Sequence, residues 1–207
     1  MIDIDEQVAP RDVAVDATGT RSVLAWLMVV GGAIGVLASG ILTYDKIKLL
    51  QNPDAQLACA LNAWVDCGGV VSSSQSSLLG FPNTFLGLVG FAVVVTLGVV
   101  LLSGARLQEW IWGGLQVGVV LAVALITFLQ YTSIFTLERL CPYCMVVWTV
   151  TIPLFVAVTA RNLRSWAPAS GFTRLVSNWS LLIVLLWYVA VATVIWFQFG
   201  PERLFAS

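Results

Sequence analysis

The chain has 207 residues, of which 59% are hydrophobic and 10% charged, with a net charge of −1 and a mean hydropathy of +0.93. Soluble domains carry roughly 25% charged residues, so this composition describes an integral membrane protein, and the missing excess of basic residues excludes a broad nucleic-acid surface. Histidine is absent, which removes the commonest metal ligand and the usual base at neutral pH. Chemistry is left to four cysteines, Cys59, Cys67, Cys141 and Cys144.

In chain order, residues 1–22 are polar and mildly acidic and are expected to be a disordered cytoplasmic tail. Residues 23–42 form an apolar run of the length, about 20 residues, that crosses a bilayer as a helix. The run is too long and its preceding segment too acidic for a signal peptide. Gly31, Gly35 and Ser39 recur every fourth residue on it, a spacing that lets helices approach closely in lipid. Residues 44–82 interrupt the pattern with Asp45, Lys46, Lys48, Asp54, Asp66 and a serine-rich run. Val70–Val71 and Leu78–Leu79 are apolar but too short to span, so this loop is expected to lie at the interface or dip into it, shielded by protein.

Further spans are predicted over 83–102, 110–135, 142–160 and 179–199, with a connecting loop over 161–177. Trp110, Trp112, Trp179 and Trp196 sit near helix ends, where amphipathic rings favour the headgroup level. With the N-terminus cytoplasmic, the inner segments hold Arg11, Arg21, Arg106, Arg161, Arg164 and Arg174, against Lys46, Lys48, Arg139 and Arg203 outside. That distribution follows the positive-inside tendency. It also puts both cysteine pairs on the same, oxidising face of the membrane, where disulfides persist.

Cys141-Pro142-Tyr143-Cys144 is a C-x-x-C motif at the start of a predicted helix. Proline suits the first helical position, which places Cys141 at the cap and Cys144 in the first turn. Helix N-termini stabilise a thiolate, the attacking species in disulfide exchange, and Arg139 is expected to add to this. Cys59 and Cys67 lie in the polar loop, where they can close a disulfide and meet an external thiol. Two static disulfides are one alternative. A four-cysteine zinc site is another, although the loop pair lacks the short spacing such sites use. No flavin, haem or iron–sulfur motif is present; a lipid-soluble quinone entering from the bilayer would accept electrons without any nucleotide-binding fold.

Cys59-Ala60-Leu61 with Cys67, Ser72-Ser73, the run Phe81-Pro82-Asn83-Thr84-Phe85-Leu86-Gly87 and Cys141-Pro142-Tyr143-Cys144 occur together in the order and spacing of the vitamin K epoxide reductase family. The chain resembles its bacterial branch over residues 23–160. The resemblance implies an all-α integral membrane fold, a four-helix bundle core around a quinone (menaquinone or ubiquinone), with the loop over 44–82 covering its outer end. Residues 161–207 would add a loop and a fifth transmembrane helix. It further implies that an external thiol protein reduces the loop pair at Cys59, that Cys67 exchanges with Cys141, and that Cys144 faces the quinone. Asn83 matches an asparagine that hydrogen-bonds a quinone oxygen, and Ser73 a serine or threonine near the loop. From the residues alone, Asn83 is equally readable as a helix cap and Ser73 as a hydroxyl that satisfies backbone groups.

Two positions depart from the family pattern. Trp148 stands where some members carry a quinone-contacting tyrosine, and its indole donates but does not accept a hydrogen bond; core packing is the alternative role. Many bacterial members continue into a thioredoxin-like domain, whereas this sequence ends at Ser207, so a separate extracytoplasmic thioredoxin-fold partner is expected. The function expected is a plasma-membrane thiol:quinone oxidoreductase that supports disulfide formation, with no metal. A carrier of reducing electrons across the bilayer is disfavoured by the same-side cysteines. A transporter or structural bundle is disfavoured by spans nearly free of ionisable groups.

Overall fold

The computed structural model describes residues 11–204 except 54, 56, 58, 61, 63, 78 and 79. The expected tail over 1–10, Leu61 of the first cysteine motif and the Leu78–Leu79 pair lie outside the described residues. Seven α-helices follow in order: α1 (Arg11–Gln51), α2 (Cys67–Ser72), α3 (Asn83–Leu102), α4 (Glu109–Tyr131), α5 (Pro142–Trp166), α6 (Gly171–Asn178) and α7 (Ser180–Leu204). A 3₁₀ turn (Ser74–Ser77) follows α2, and a π-helical turn (Thr132–Thr136) extends α4. Five of the helices are long and apolar enough to cross a membrane, so the fold is all-α and multi-pass.

Helix α1 corrects two expectations. It is helical from Arg11, so the polar stretch from there to residue 22 is not a disordered tail. At its other end it runs through Tyr44 to Gln51, where a loop was expected. Backbone hydrogen bonding propagates once a helix is nucleated, and no proline intervenes until Pro53, whose ring disfavours helix at the residue before it. At 1.5 Å per residue its length is about 60 Å, against roughly 30 Å of hydrocarbon. The last turns therefore carry Asp45, Lys46 and Lys48 to the level of the cysteine loop. Similarly, α5 continues to Trp166 and the segment over 171–178 is the amphipathic helix α6, which leaves only a short part of the expected loop over 161–177 non-helical. Ser170 caps α6 by accepting from the Phe172 N–H at 3.3 Å.

Helix α1 is the central post, packed on α3 and α5; α4 and α7 each pack on α5. The α1–α3 approach is glycine-mediated. A Cβ at Gly98 would lie 2.9 Å from Met28 Cβ and 3.0 Å from the Val29 backbone N. Of the small-residue stripe, Gly35 and Ser39 face α3, at Phe91 and Gly87, while Gly31 faces Leu154 of α5. At the end away from the cysteines, Arg161 is bidentate to Glu109 (2.8 and 3.1 Å) and stacks 4.0 Å over the Trp112 ring. Beside it, Asn162 donates to the Trp112 carbonyl and to Gln116. Helices α4 and α5 are thus locked at that end. Helices α3 and α4 have almost no direct contact, and the space between them is a cavity.

Pro153 lies inside α5 and lacks the N–H that would bond the carbonyl four residues earlier. That carbonyl belongs to Thr149, and the Tyr188 hydroxyl of α7 donates to it at 2.5 Å. The fifth spanning helix thus supplies the donor that the proline withholds. Farther along, its Ile195 and Phe199 pack with Ile134, Leu140, Trp64 and Met145, beneath the cysteine loop. Replacing Tyr188 by Phe keeps the ring and removes the donor. It should cost about 1–2 kcal/mol, the cost of a carbonyl left without a donor in an apolar surrounding, measured as a lowered thermal midpoint in detergent.

Candidate active site

Each cysteine is positioned by a short piece of local structure. Asp66 caps α2, its carboxylate accepting from the N–H groups of Gly68 (2.9 Å) and Gly69 (2.8 Å), which places Cys67 at the first helical position. Cys141 caps α5 in extended conformation, with Pro142 following it, and its Sγ accepts from the Cys144 N–H at 3.4 Å. Between the two caps runs an isolated parallel β-bridge, Val65 to Leu140. The Leu140 N–H donates to the Trp64 carbonyl (2.8 Å) and the Asp66 N–H to the Leu140 carbonyl (3.0 Å). The chain reaches this bridge through Glu138 at φ 49°, a left-handed conformation uncommon for a residue with a side chain.

Because the bridge aligns the two strands in parallel, the residues just beyond it meet. Cys59 and Cys67 form a disulfide, with Cα atoms 5.7 Å apart. Cys141 and Cys144 are free thiols. Cys141 Sγ lies 3.3 Å from Cys67 Sγ, and neither residue has any solvent exposure. Cys59, at 5%, is the more exposed half of the disulfide. A thiol hydrogen bond from Cys144 holds the Cys141 thiol below its ordinary pKa, helped by the N–H groups of Cys144 and Tyr143. Burial and the Asp45 carboxylate oppose this lowering. Arg139, expected to favour the thiolate, is instead committed to Asp66 at 2.9 Å.

Beneath the cysteines lies a cavity of about 970 Å³ between α3 and α4. Its walls are mostly apolar, from Leu86, Val94 and Leu97 on α3 and Leu115, Leu121 and Leu125 on α4. Polar groups cluster at the cysteine end: Cys144, Asn83, Ser73, Lys46 and Thr84 all reach the wall. Asn83 is buried, and its amide donates to the Gln75 carbonyl at 2.8 Å. It is the first residue of α3 rather than its cap, which is Pro82. Ser73 lines the cavity, but its hydroxyl donates to the Val70 carbonyl at 2.7 Å, at the end of α2. Trp148 is buried, lines the cavity and also packs with Ile126 and Ile152. Thr84 Oγ1 is buried and has no hydrogen-bond partner within the described residues.

Sequence reasoning missed Asp45 and Lys46 as site residues, assigning them to a non-helical interfacial loop. Both are buried on α1. Lys46 Nζ donates to the Val71 carbonyl at 2.6 Å and to Ser76 Oγ at 3.0 Å, so an ammonium closes the C-terminal end of α2, where cations are favoured. Asp45 Oδ2 lies 3.9 Å from Cys59 Sγ. The helical spacing of Asp45 with Leu42 and Leu49 was the available signal that these residues continue the helix. Among the described residues there is no cluster of three or more ligands that could hold a metal.

A sequence model of the vitamin K epoxide reductase family matches residues 26–159, more than half of the chain and a span that contains all four cysteines, Ser73, Asn83 and Trp148. The sulfur contact makes a direct prediction. In a Cys59→Ala, Cys144→Ala double variant, mild oxidation should link Cys67 to Cys141 nearly quantitatively, as read by mass spectrometry of the digested protein. A variant that stays as two free thiols contradicts the geometry.

Proposed function

This chain belongs to the vitamin K epoxide reductase family, and from that premise we propose that it is a thiol:quinone oxidoreductase serving disulfide formation outside the cell. The coarser conclusion, a membrane thiol oxidoreductase, follows from the family and the spanning helices. One observation carries the finer reading: Cys141 Sγ stands 3.3 Å from Cys67 Sγ while its motif partner Cys144 lines the cavity.

On this reading a thiolate of an external thioredoxin-fold protein attacks Cys59 Sγ. The Cys59–Cys67 bond breaks and its electron pair leaves on Cys67. Cys67 attacks Cys141 of an oxidised Cys141–Cys144 pair, and Cys144 leaves as thiolate. The partner's second thiol then releases Cys59, which attacks Cys67, restores the loop disulfide and frees Cys141. Two electrons have moved from the partner dithiol to the Cys141/Cys144 pair. The lowered Cys141 pKa suits it both as leaving group and as attacking thiolate.

The cavity suits a quinone. It has an apolar body large enough for a lipid-like molecule and a cluster of polar groups at the cysteine end, among them a Thr84 hydroxyl with no partner among the described residues. Asn83, Thr84 and Trp148 would hold the ring end beside Cys144, and the apolar walls of α3 and α4 the tail. When bound, menaquinone or ubiquinone supplies a two-electron, two-proton acceptor. Ser73 contributes by terminating α2 at the cavity wall.

The proposed setting is the plasma membrane, with the N-terminus cytoplasmic and the cysteines outside. Arg161, Arg164 and Arg174, at the end opposite the cysteines, support that orientation. The test uses purified protein in lipid nanodiscs, a reduced thioredoxin-fold dithiol protein and a short-chain menaquinone or ubiquinone, followed by quinone absorbance. Quinone reduction that falls to background in Cys144→Ala is the expected result. Reduction that persists without Cys144, or is absent from the intact protein, contradicts the proposal.

A further inference from the structure

Disulfide exchange moves protons as well as electrons, and the sequence holds no histidine to carry them. Each time Cys59 leaves a mixed disulfide it does so as a thiolate, and each time it attacks it must be one again. Cys59 is buried, at 5% exposure, so bulk water has poor access to its sulfur. The group at that sulfur is Asp45, itself buried on the last turns of α1, with Oδ2 3.9 Å from Cys59 Sγ. The neighbouring carboxylate, Asp66, is occupied by the N–H groups of Gly68 and Gly69 and by Arg139. Lys46 is turned to the Val71 carbonyl and Ser76. Among the described residues, the groups that act electrostatically with Asp45 are Lys48, one turn along its own helix, and the Cys141 thiol from the start of α5. A carboxyl kept in place by a long helix, at a reacting sulfur and with no other hydrogen-bond contact among the described residues, has the position of an acid–base catalyst.

We propose that Asp45 is a catalytic residue of the loop exchange, the proton donor and acceptor for Cys59. When the partner's second thiolate attacks the partner sulfur of the mixed disulfide, the partner disulfide forms and the bond to Cys59 breaks. Asp45 in its acid form then gives its proton to the departing Cys59 thiolate and becomes a carboxylate. In the following step the carboxylate takes that proton back as Cys59 attacks Cys67 of the Cys67–Cys141 disulfide, and Cys141 leaves with the electron pair. Asp45 ends as it began, and the two electrons have moved inward with no proton lost from the loop. The role rests on the relay proposed above, but it concerns only the thiol exchange and not the acceptor in the cavity.

The test leaves quinone out. The full chain in nanodiscs, with both pairs oxidised, is mixed with dithiothreitol and quenched in acid at intervals. Alkylation and mass spectrometry then give the rate at which thiols arrive on Cys141 and Cys144, across pH 5–9. Asp45→Asn should slow arrival at neutral pH by about 100-fold, the lower end of what a positioned acid–base group contributes. It should also remove one ionisation from the pH profile, and Asp45→Glu should recover most of the rate. An Asp45→Asn rate and profile equal to wild type overturn the proposal. So do Asn and Glu variants that are equally slow with a wild-type profile, since that is the mark of a structural role. Should Asp45→Asn fail to fold, Asp45→Glu decides: a shifted pH midpoint supports the role and an unshifted one overturns it. A wild-type chain that transfers electrons between its pairs in this assay but passes none to quinone would sink the acceptor reading while leaving the role of Asp45 intact.

Discussion

Two backbone hydrogen bonds, Leu140 N–H to the Trp64 carbonyl and Asp66 N–H to the Leu140 carbonyl, hold together segments that are far apart in the chain. They form the bridge that seats the cysteine loop on the start of α5. A loop that carried Cys59 and Cys67 on a free tether would meet Cys141 only through rare collisions. Pinned two residues before Cys67 and one before Cys141, it presents the two sulfurs at contact distance. Converting an encounter into a fixed approach is a large advantage that a protein framework offers two reactants. The Arg139–Asp66 ion pair reinforces the same junction. Arg139 is about half exposed, so its contribution to stability is small and its effect is chiefly on register.

The elements around the junction depend on it in turn. Asp66 both caps α2 and meets Arg139, so the start of the helix that carries Cys67 is fixed by the clasp itself. The end of that helix is fixed from below by the Lys46 ammonium, which projects from α1. Ile195 and Phe199 of α7 pack with Leu140 and Trp64 in a buried cluster, and Tyr188 satisfies the carbonyl left open by Pro153. The fifth helix is therefore a buttress for both the bridge and α5. Helices α3 and α4 stay apart at the level of the cavity, because the locks that hold α4 to α5 lie at the opposite end, at Glu109, Gln116, Arg161 and Asn162.

Much of this is legible in the amino-acid sequence. Mean hydropathy and run length reveal the spans, and the placement of Asn83–Leu102 after Pro82 matches the helix observed. The Cys-Pro-Tyr-Cys motif places its first cysteine at a helix cap because proline and an apolar run define the helix start. What escapes sequence reading is tertiary. Tyr44 to Gln51 mixes charge with apolar residues, so the helical spacing of Asp45 with Leu42 and Leu49 is a weak signal, and the buried partners of Asp45 and Lys46 are what hold this segment as a continuing helix rather than an interfacial loop. Arg139 neighbours the motif in sequence yet pairs with Asp66, 73 positions away. Pro153 announces an open carbonyl at Thr149, but nothing local reveals that the donor is Tyr188. Ser73 enters as a site residue through the family resemblance alone, while its hydroxyl is spent on the Val70 carbonyl, the backbone role that its serine-rich run also suggests.

In the proposed relay, electrons cross from the loop to the helix pair through one sulfur contact, Cys67 to Cys141. The most direct measurement is an acid-quenched time course of the fully oxidised wild-type chain, without quinone, after mixing with a dithiol protein. Disulfide-linked peptides are identified by mass spectrometry at each time. The relay predicts a Cys67–Cys141 linkage that rises after the loop opens and decays as Cys141 and Cys144 become free thiols. Thiols that appear on Cys141 and Cys144 with no such linkage at any time, or that appear at the wild-type rate in Cys67→Ala, would contradict it.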